Sequence, residues 1–208
     1  MAKNKPSRSE AKRTQLLKIA TEMFLASGYE DVSVDAIVAR AGGTKTNVYK
    51  LFGAKSELFA AVVKELCEST PQSYEGINLE AIDPADALRQ IGRLYLTALL
   101  TRHSVRQYRM IIGESERFPN ASKRWFKASP ERARDTIAAY FEKIKIADRS
   151  NRAVSRRLAG MFLDMLGGEQ LFRQLLSGAT PPTSRELNRV VEDAVEVFLH
   201  GALSAKKK

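Results

Sequence analysis

The residues of this chain best suited to binding chemistry lie between positions 44 and 50. Side chains that form hydrogen bonds occupy almost every place there, namely Thr44, Lys45, Thr46, Asn47, Tyr49 and Lys50. Hydroxyl, amide and ammonium groups of this kind bind base edges in a DNA groove and the phosphates beside it. The same residue types also suit an ordinary solvated helix face. The elements that position these side chains therefore matter for the interpretation.

Residues 33–52 fit two short helices joined by a turn at Gly42-Gly43. Ser33 is a favourable N-cap for the first helix. Apolar residues lie where the two helices would face each other, and these are Ile37, Ala41, Val48 and Leu51. Helices this short depend on such contacts for stability. The pattern predicts a helix-turn-helix, in which the second helix enters the major groove and its backbone N–H groups favour a phosphate.

The composition argues against several other kinds of chemistry. The single cysteine, Cys67, excludes an internal disulfide and a cysteine-based metal site. The two histidines, His103 and His200, lie far apart in the sequence and give poor support to a zinc site or a Ser/His/Asp triad. We therefore expect no catalytic residue, no metal and no cofactor. The formal net charge of +10 favours a polyanionic partner, although basic proteins also bind acidic lipid.

The length and hydrophobic pattern predict a folded, almost wholly helical protein. The chain has 208 residues, of which 44% are hydrophobic and 28% charged, a balance typical of globular domains. Apolar residues recur at helical spacing, and no stretch alternates as a strand would. No apolar run approaches the ~18 residues of a membrane span, and no signal-peptide core follows the basic N-terminus, so we expect a cytoplasmic protein with no membrane partner.

The loop-forming segments divide the predicted helices into an all-α protein of two domains. Residues 70–82 contain Pro71, Gly76 and small polar residues and are the best boundary candidate. We predict a helix-turn-helix domain with a basic N-terminal arm over residues 1–66 and a second helical domain over residues 67–208. Within the second domain, Ser129-Pro130 is predicted to start a new helix.

Residues 9–66 resemble the N-terminal domain of the TetR family of bacterial transcription regulators. The matching residues agree in order and spacing, and they are Ile19-Ala20, Met23-Phe24, Gly28-Tyr29, Ser33-Val34, Ile37, Ala41-Gly42, Tyr49, Phe52, Lys55 and Leu58-Phe59. The chain departs from the family pattern at Gly43, where a valine is usual, at Val38, where a small residue is usual, and at Leu51, where an aromatic residue is usual. We expect Gly43 to loosen the turn.

The resemblance implies a role in DNA binding for individual residues. Lys45, Thr46 and Asn47, on the helix that begins after Thr44, would read bases. Residues that would hold phosphates are Ser33, Tyr49, Lys50 and Lys55. The basic arm from Lys3 to Arg13 would add salt-dependent affinity, or would remain a tail without a specific role.

Residues 111–119 are similar to a segment of AcrR- and AefR-like members, whose C-terminal helices form a ligand pocket and a dimer interface. A helical domain rich in methionine and aromatic residues suits an adaptable, mainly apolar cavity for a small molecule. Most of these side chains are expected in the core. The candidates for the pocket are Tyr95, Leu99, His103, Tyr108, Trp125, Phe126, Met161, Phe162 and Met165.

The last two helices are expected to form a homodimer interface, as the resemblance implies. Gly167 and Gly168 lie inside a strongly helical pattern, where each glycine costs about 1 kcal/mol relative to alanine. Close approach of a helix from the partner protomer would offset this cost. A helix break at Gly167 is the alternative.

The function expected from these features is that of a transcriptional regulator and not of an enzyme. We predict a homodimeric repressor that binds a palindromic operator in double-stranded DNA and is released by a small-molecule ligand. Two alternatives stay open, namely a DNA-binding protein without a ligand and an enzyme that uses the helical pocket.

Overall fold

The computed structural model describes residues 7–69, 82–146, 151–178 and 180–201. Those residues contain helices and no strand, which confirms the all-α prediction. The helices are α1 (Arg8–Ser27), α2 (Val34–Ala41), α3 (Lys45–Phe52), α4 (Lys55–Ser69), α5 (Pro84–Leu99), α6 (Arg102–Gly113), α7 (Pro119–Phe126), α8 (Arg132–Lys143), α9 (Arg152–Ser177) and α10 (Ser184–His200). Residues 70–81 of the predicted loop at 70–82, and residues 1–6 at the start of the chain with part of the basic arm, lie outside the described residues.

Local capping signals begin and end the N-terminal helices. Ser7 and Glu10 form a capping box at the start of α1, and Gly28, with φ of 78°, ends that helix where a left-handed backbone favours glycine. The core beneath these helices is mainly aliphatic and contains a cluster of aromatic rings. The rings of Phe24 and Phe59 meet edge to face with centroids 5.4 Å apart, and both side chains are buried.

The first packing unit contains residues up to 69 together with residues 106–128. In this unit α7 packs against α4. Phe118 lies with its ring centroid 4.6 Å from that of Phe59, and Trp125 is buried in the same core. The predicted domain boundary between residues 66 and 67 stays a prediction. Packing nevertheless joins residues 106–128, a segment far along the chain, to the N-terminal helices.

The second packing unit contains residues 82–105 and those from 129 onward. Asp83 caps α5, whose first turn holds Pro84, and Thr183 with Glu186 forms a capping box at the start of α10. The centre of this unit also contains a cluster of aromatic rings. Phe198 lies 5.6 Å from Phe141 and 5.1 Å from Phe162, measured between ring centroids.

Two details of the second unit differ from the sequence prediction. Ser129-Pro130 does not start a helix, because Pro130 lies inside a π-helical turn, Lys127–Glu131, directly before α8. Proline lacks an N–H group and disfavours a regular α-helical turn, and the wider π turn accommodates it. The alternative of a helix break at Gly167 is also wrong, since α9 continues through both glycines to Ser177.

Gly167 does allow close helix packing, but its partner is a helix of the same chain. A Cβ atom at this position would lie 2.8 Å from Leu99 Cδ2 and 3.1 Å from Tyr95 Cε1, both on α5. The sequence prediction placed Gly167 in the dimer interface, and this part of it is wrong. Helical periodicity showed that the position faces a neighbour, and it could not show which helix that neighbour is.

Candidate nucleic-acid interface

The helix-turn-helix is held together by the apolar contacts that the sequence predicted. Ile37, Ala41 and Val48 are buried, and Leu51 is half-buried. Ser33 caps α2 by accepting a hydrogen bond from the Ala36 N–H at 3.0 Å. These contacts fix the inner sides of α2 and α3, so the opposite side of α3 is available to face another molecule.

The outer face of α3 consists of Thr44, Lys45, Thr46, Asn47, Tyr49 and Lys50, and all six are exposed. Tyr49 is 51% exposed, so its ring does not belong to the core. The Thr44 hydroxyl caps the helix by accepting the Asn47 N–H at 3.3 Å. The first turn of α3 contains no acidic residue. The positive end of the helix dipole and the first backbone N–H groups therefore attract phosphate.

Lys45 is paired with an acidic residue on the preceding helix. Its Nζ lies 2.8 Å from Oδ2 of Asp35 on α2. The hydrogen bond that the Asp35 carboxylate accepts, together with the negative charge of that group, raises the pKa of Lys45. Lys45 therefore stays charged at neutral pH and must exchange Asp35 for a nucleic-acid group if it binds one.

Lys55, the first residue of α4, is half-buried and faces the α1–α2 loop. Its Nζ donates a hydrogen bond to the Glu30 carbonyl at 3.2 Å and lies 4.2 Å from the centroid of the Tyr29 ring. This cation–π contact holds the ammonium group against the loop. Its phosphate-binding role stays a prediction.

Family models match most of this architecture in sequence. Residues 16–62 match the model described as bacterial regulatory proteins of the tetR family, and residues 86–201 match the model described as the C-terminal domain of AefR-like transcriptional repressors. The chain belongs to the TetR family. The predicted resemblance is thereby confirmed, and the protein is a DNA-binding transcription regulator of the helix-turn-helix type.

Relatives along nearly the whole chain agree with this assignment. A TetR-family regulator from Mesorhizobium loti superposes with a TM-score of 0.81 at 26% identity, covering 93% of this chain and 98% of that one. The flavonoid-responsive regulator FrrA superposes with a TM-score of 0.73 at 27% identity, covering 91% and 95%. An uncharacterised HTH-type regulator from Mycobacterium tuberculosis is 25% identical over 196 residues, 91% of this chain and 89% of that protein.

Three charged residues of this TetR-family domain carry contacts that sequence reasoning missed. Lys12 on α1 donates a hydrogen bond to the Ala41 carbonyl at 2.9 Å, although the sequence grouped it with the basic arm. Asp35 pairs with Lys45, and Arg40 pairs with Glu22 at 2.7 Å. Each contact joins different helices, so no local spacing could have indicated it.

The structure distributes the predicted pocket residues over both packing units. Tyr108 and Trp125 belong to the first unit, where their ring centroids lie 4.8 Å apart, and Phe126 is exposed there. In the second unit Tyr95 and Leu99 meet at Gly167, whereas Phe162 is packed in the aromatic core. The exposed candidates of the second unit are His103, Met161 and Met165. The pocket as a whole stays a prediction.

Glu114 and Arg117, which lie three residues apart, each contact the α1–α2 loop. The Glu114 carboxylate accepts a hydrogen bond from the Tyr29 N–H at 3.4 Å. Arg117 forms an ion pair with Glu30 and places its guanidinium carbon 5.2 Å from the Tyr29 ring centroid. Both residues therefore help to hold this loop in place.

None of the helices in the described ranges is long and apolar enough to cross a membrane.

Proposed function

We propose that this TetR-family regulator is a homodimeric repressor that leaves a palindromic operator when a small molecule binds its C-terminal helices. The observation that carries the proposal is the outer face of α3. Its six polar residues are all exposed, while on the apolar side Val48 is buried and Leu51 is half-buried. Such an arrangement presents hydrogen-bonding groups without weakening the core that positions them.

The outer face of α3 divides into two kinds of contact in this proposal. Lys45, Thr46 and Asn47, in the first turn after Thr44, read base edges in the major groove. The residues that bind phosphates are Ser33, Tyr49, Lys50 and Lys55. Phosphate contacts supply affinity for any DNA, and base contacts supply the preference for the operator.

Dimerisation through α9 and α10 is supported by an apolar face that has no partner within the described part of the chain. Met161, Met165, Phe172 and Leu176 lie on one side of α9 and are all exposed, Phe172 by 62% and Leu176 by 83%. Val197 on α10 is also exposed. Contiguous apolar side chains in water mark interaction sites, and a second copy of the chain would bury them.

The ligand response rests on the C-terminal match and on a relative. The matched C-terminal model is that of AefR-like transcriptional repressors, and the superposable FrrA is named as flavonoid-responsive. We propose a small, mainly apolar ligand that contacts residues among the predicted pocket candidates. Its binding would favour a dimer with wrongly spaced recognition helices, through a coupling free energy of about 1–3 kcal/mol.

Selection of bound sequences from random DNA with the purified protein tests the DNA-binding proposal. The expected product is a palindrome whose half-sites lie about one helical turn, roughly 34–36 Å, apart. Footprinting of the selected site should show two protomers. A single protomer on an asymmetric site would contradict the dimer, and no enrichment of any sequence would contradict specific binding.

A reporter gene placed behind the selected operator distinguishes repression from activation. The proposal expects expression to fall when the protein is present and to recover when a library of aromatic compounds contains a ligand. Increased expression would identify an activator. Repression that no compound relieves, with no compound shifting the melting temperature, would favour the alternative of a constitutive DNA-binding protein.

A further inference from the structure

We infer that Lys12 on α1 is a positioning residue for DNA recognition, because it holds the turn between α2 and α3 in place. This inference deepens the proposed function and rests on α3 as the recognition helix. Lys12 would act without touching a base. It joins the core-anchored helix α1 to the backbone that leads into the outer face of α3.

The Lys12 ammonium group satisfies the C-terminal end of α2. Its Nζ donates to the carbonyl oxygen of Ala41, the last residue of that helix, at 2.9 Å, and to Oε1 of Gln15 at 3.2 Å. The last carbonyl groups of a helix have no partner within the helix and carry partial negative charge. A cation at this point is therefore both a hydrogen-bond donor and a favourable charge.

The Lys12 side chain passes close to the backbone of Gly43 in the turn. A Cβ atom at Gly43 would lie 3.4 Å from Lys12 Cε and 3.7 Å from both Lys12 Nζ and Asn47 Nδ2. The backbone of Gly43 has φ of +110°, a conformation that residues with a Cβ atom rarely adopt. The hydrogen bond from Lys12 to Ala41 opposes the loosening of the turn that is expected from Gly43.

Lys12 links α1, which is packed in the core, to the turn that leads into α3. The residues Leu16, Leu17 and Ala20, one turn or more beyond Lys12, are buried in the core. On the other side, the turn ends at Thr44, whose carbonyl oxygen accepts the Asn47 N–H at 3.0 Å. Loss of the Lys12 contact would let this first turn of α3 move relative to the core, and with it the residues proposed to read bases.

A phosphate contact by Lys12 is the competing explanation, and it predicts a different result. A lysine that binds a phosphate lowers affinity for every sequence when it is removed, and it reduces the salt slope of binding by about one unit. A positioning residue changes the affinity for the correct sequence more than for other DNA. The two explanations can be separated by measurements on the same variants.

The test compares Lys12→Gln and Lys12→Arg with Lys18→Gln, which removes an equal charge from an exposed position on the same helix. Affinities for the selected operator and for random DNA are measured over a salt series. We expect Lys12→Gln to bind the operator about five- to tenfold more weakly than Lys18→Gln, the size expected from the net contribution of one ordinary hydrogen bond in a half-exposed site. Random-DNA affinity and salt slope should match those of Lys18→Gln, and Lys12→Arg should recover most of the loss.

Hydrogen exchange in the free protein provides a second readout that needs no DNA. The amides of Asn47 and Val48 should exchange faster in Lys12→Gln than in Lys18→Gln, while buried amides of α4 keep their protection. Unchanged exchange at Asn47 and Val48, or a lowered salt slope with unchanged exchange, would overturn the inference. Equal acceleration throughout α4 would also overturn it, because the effect would then be general unfolding. If no operator is selected, the proposed function fails while the exchange result still decides the role of Lys12.

Discussion

The outer faces of α3 and α9 are both exposed, yet they differ completely in chemistry. On α3, whose inner side buries Val48, the exposed residues are polar or basic. On α9, whose inner side buries Phe162 and Leu166, the exposed face carries Met161, Met165, Phe172 and Leu176. Exposure alone therefore does not indicate a partner. The type of exposed group does, since charged donors suit a wet phosphate surface and apolar groups suit another protein.

The comparison also separates two kinds of energy. The proposed DNA binding by the α3 face would depend on charge and weaken steeply with salt, because phosphate contacts release counterions. The proposed dimerisation by the α9 face would depend on removing apolar area from water and would be less sensitive to salt. The predictions below disturb one face at a time.

The largest effect is expected from a charge placed on the apolar face of α9. Phe172→Glu should prevent dimerisation, because a carboxylate cannot be buried without a partner. Operator affinity should then fall by about a hundredfold or more, since two linked recognition helices bind far more tightly than one. Sedimentation at micromolar concentration and operator titration measure both effects. The matched control is Phe126→Glu, which adds the same charge at an exposed phenylalanine of the other packing unit. If Phe172→Glu still forms a dimer and binds the operator with normal affinity, α9 is not part of the dimer interface.

Two neighbouring glycines should respond in different ways, because their surroundings on α9 differ. Gly167→Leu would force atoms against Tyr95 and Leu99 of the same chain and should lower the free energy of unfolding by about 1–3 kcal/mol. A Cβ atom at Gly168 would meet nothing within 4 Å, and the position shares the apolar face with Met165 and Phe172. Gly168→Leu should therefore spare the folded protomer and weaken the dimer. Denaturant unfolding and sedimentation of both variants check this. If the two variants lose the same stability and the same dimer affinity, the different roles assigned to Gly167 and Gly168 are wrong.

Within the α3 face, loss of Lys45 and loss of Lys50 should affect DNA binding in different ways. Lys45→Ala should change the preference for one base pair by about 1–3 kcal/mol, because a base contact is lost. Lys50→Ala, and likewise Lys55→Ala, should weaken binding to all sequences alike and reduce the salt slope by about one unit. Binding to a panel of single-base operator variants over a salt series provides the measurement. Equal, sequence-independent losses for all three would reject this assignment of roles.

The smallest effect is expected at Asp35, the partner of Lys45. Exposed ion pairs contribute roughly 0.2–1 kcal/mol, so Asp35→Asn should change protein stability little. It should strengthen binding to random DNA a few-fold, because Lys45 no longer exchanges a partner and one repelling charge is gone. Asp31→Asn, at an exposed acid in the preceding loop, controls for the change in net charge. A gain for Asp31→Asn as large as that for Asp35→Asn would show that the ion pair itself has no role.

Local patterns were sufficient to predict the helices and the candidate DNA-binding face. Ser33 caps α2 as the sequence predicted, and Thr44 caps α3 directly after the predicted turn, because capping involves residues only two or three positions apart. The exposed outer face of α3 follows in the same way from the spacing of Val48 and Leu51 relative to the polar residues. Helical periodicity fixes which side of a helix is apolar.

Contacts between distant segments were decided only by the tertiary structure. The sequence showed that Gly167 faces a close neighbour, but packing made that neighbour α5 of the same chain. It showed Lys12 as one of several basic residues, but the fold brings its ammonium group to the end of α2, 29 residues away. Periodicity in one helix carries no information about which other helix covers it. Which helices pack together depends on burial and hydrogen bonding over the whole chain, and these contacts form only in the folded structure.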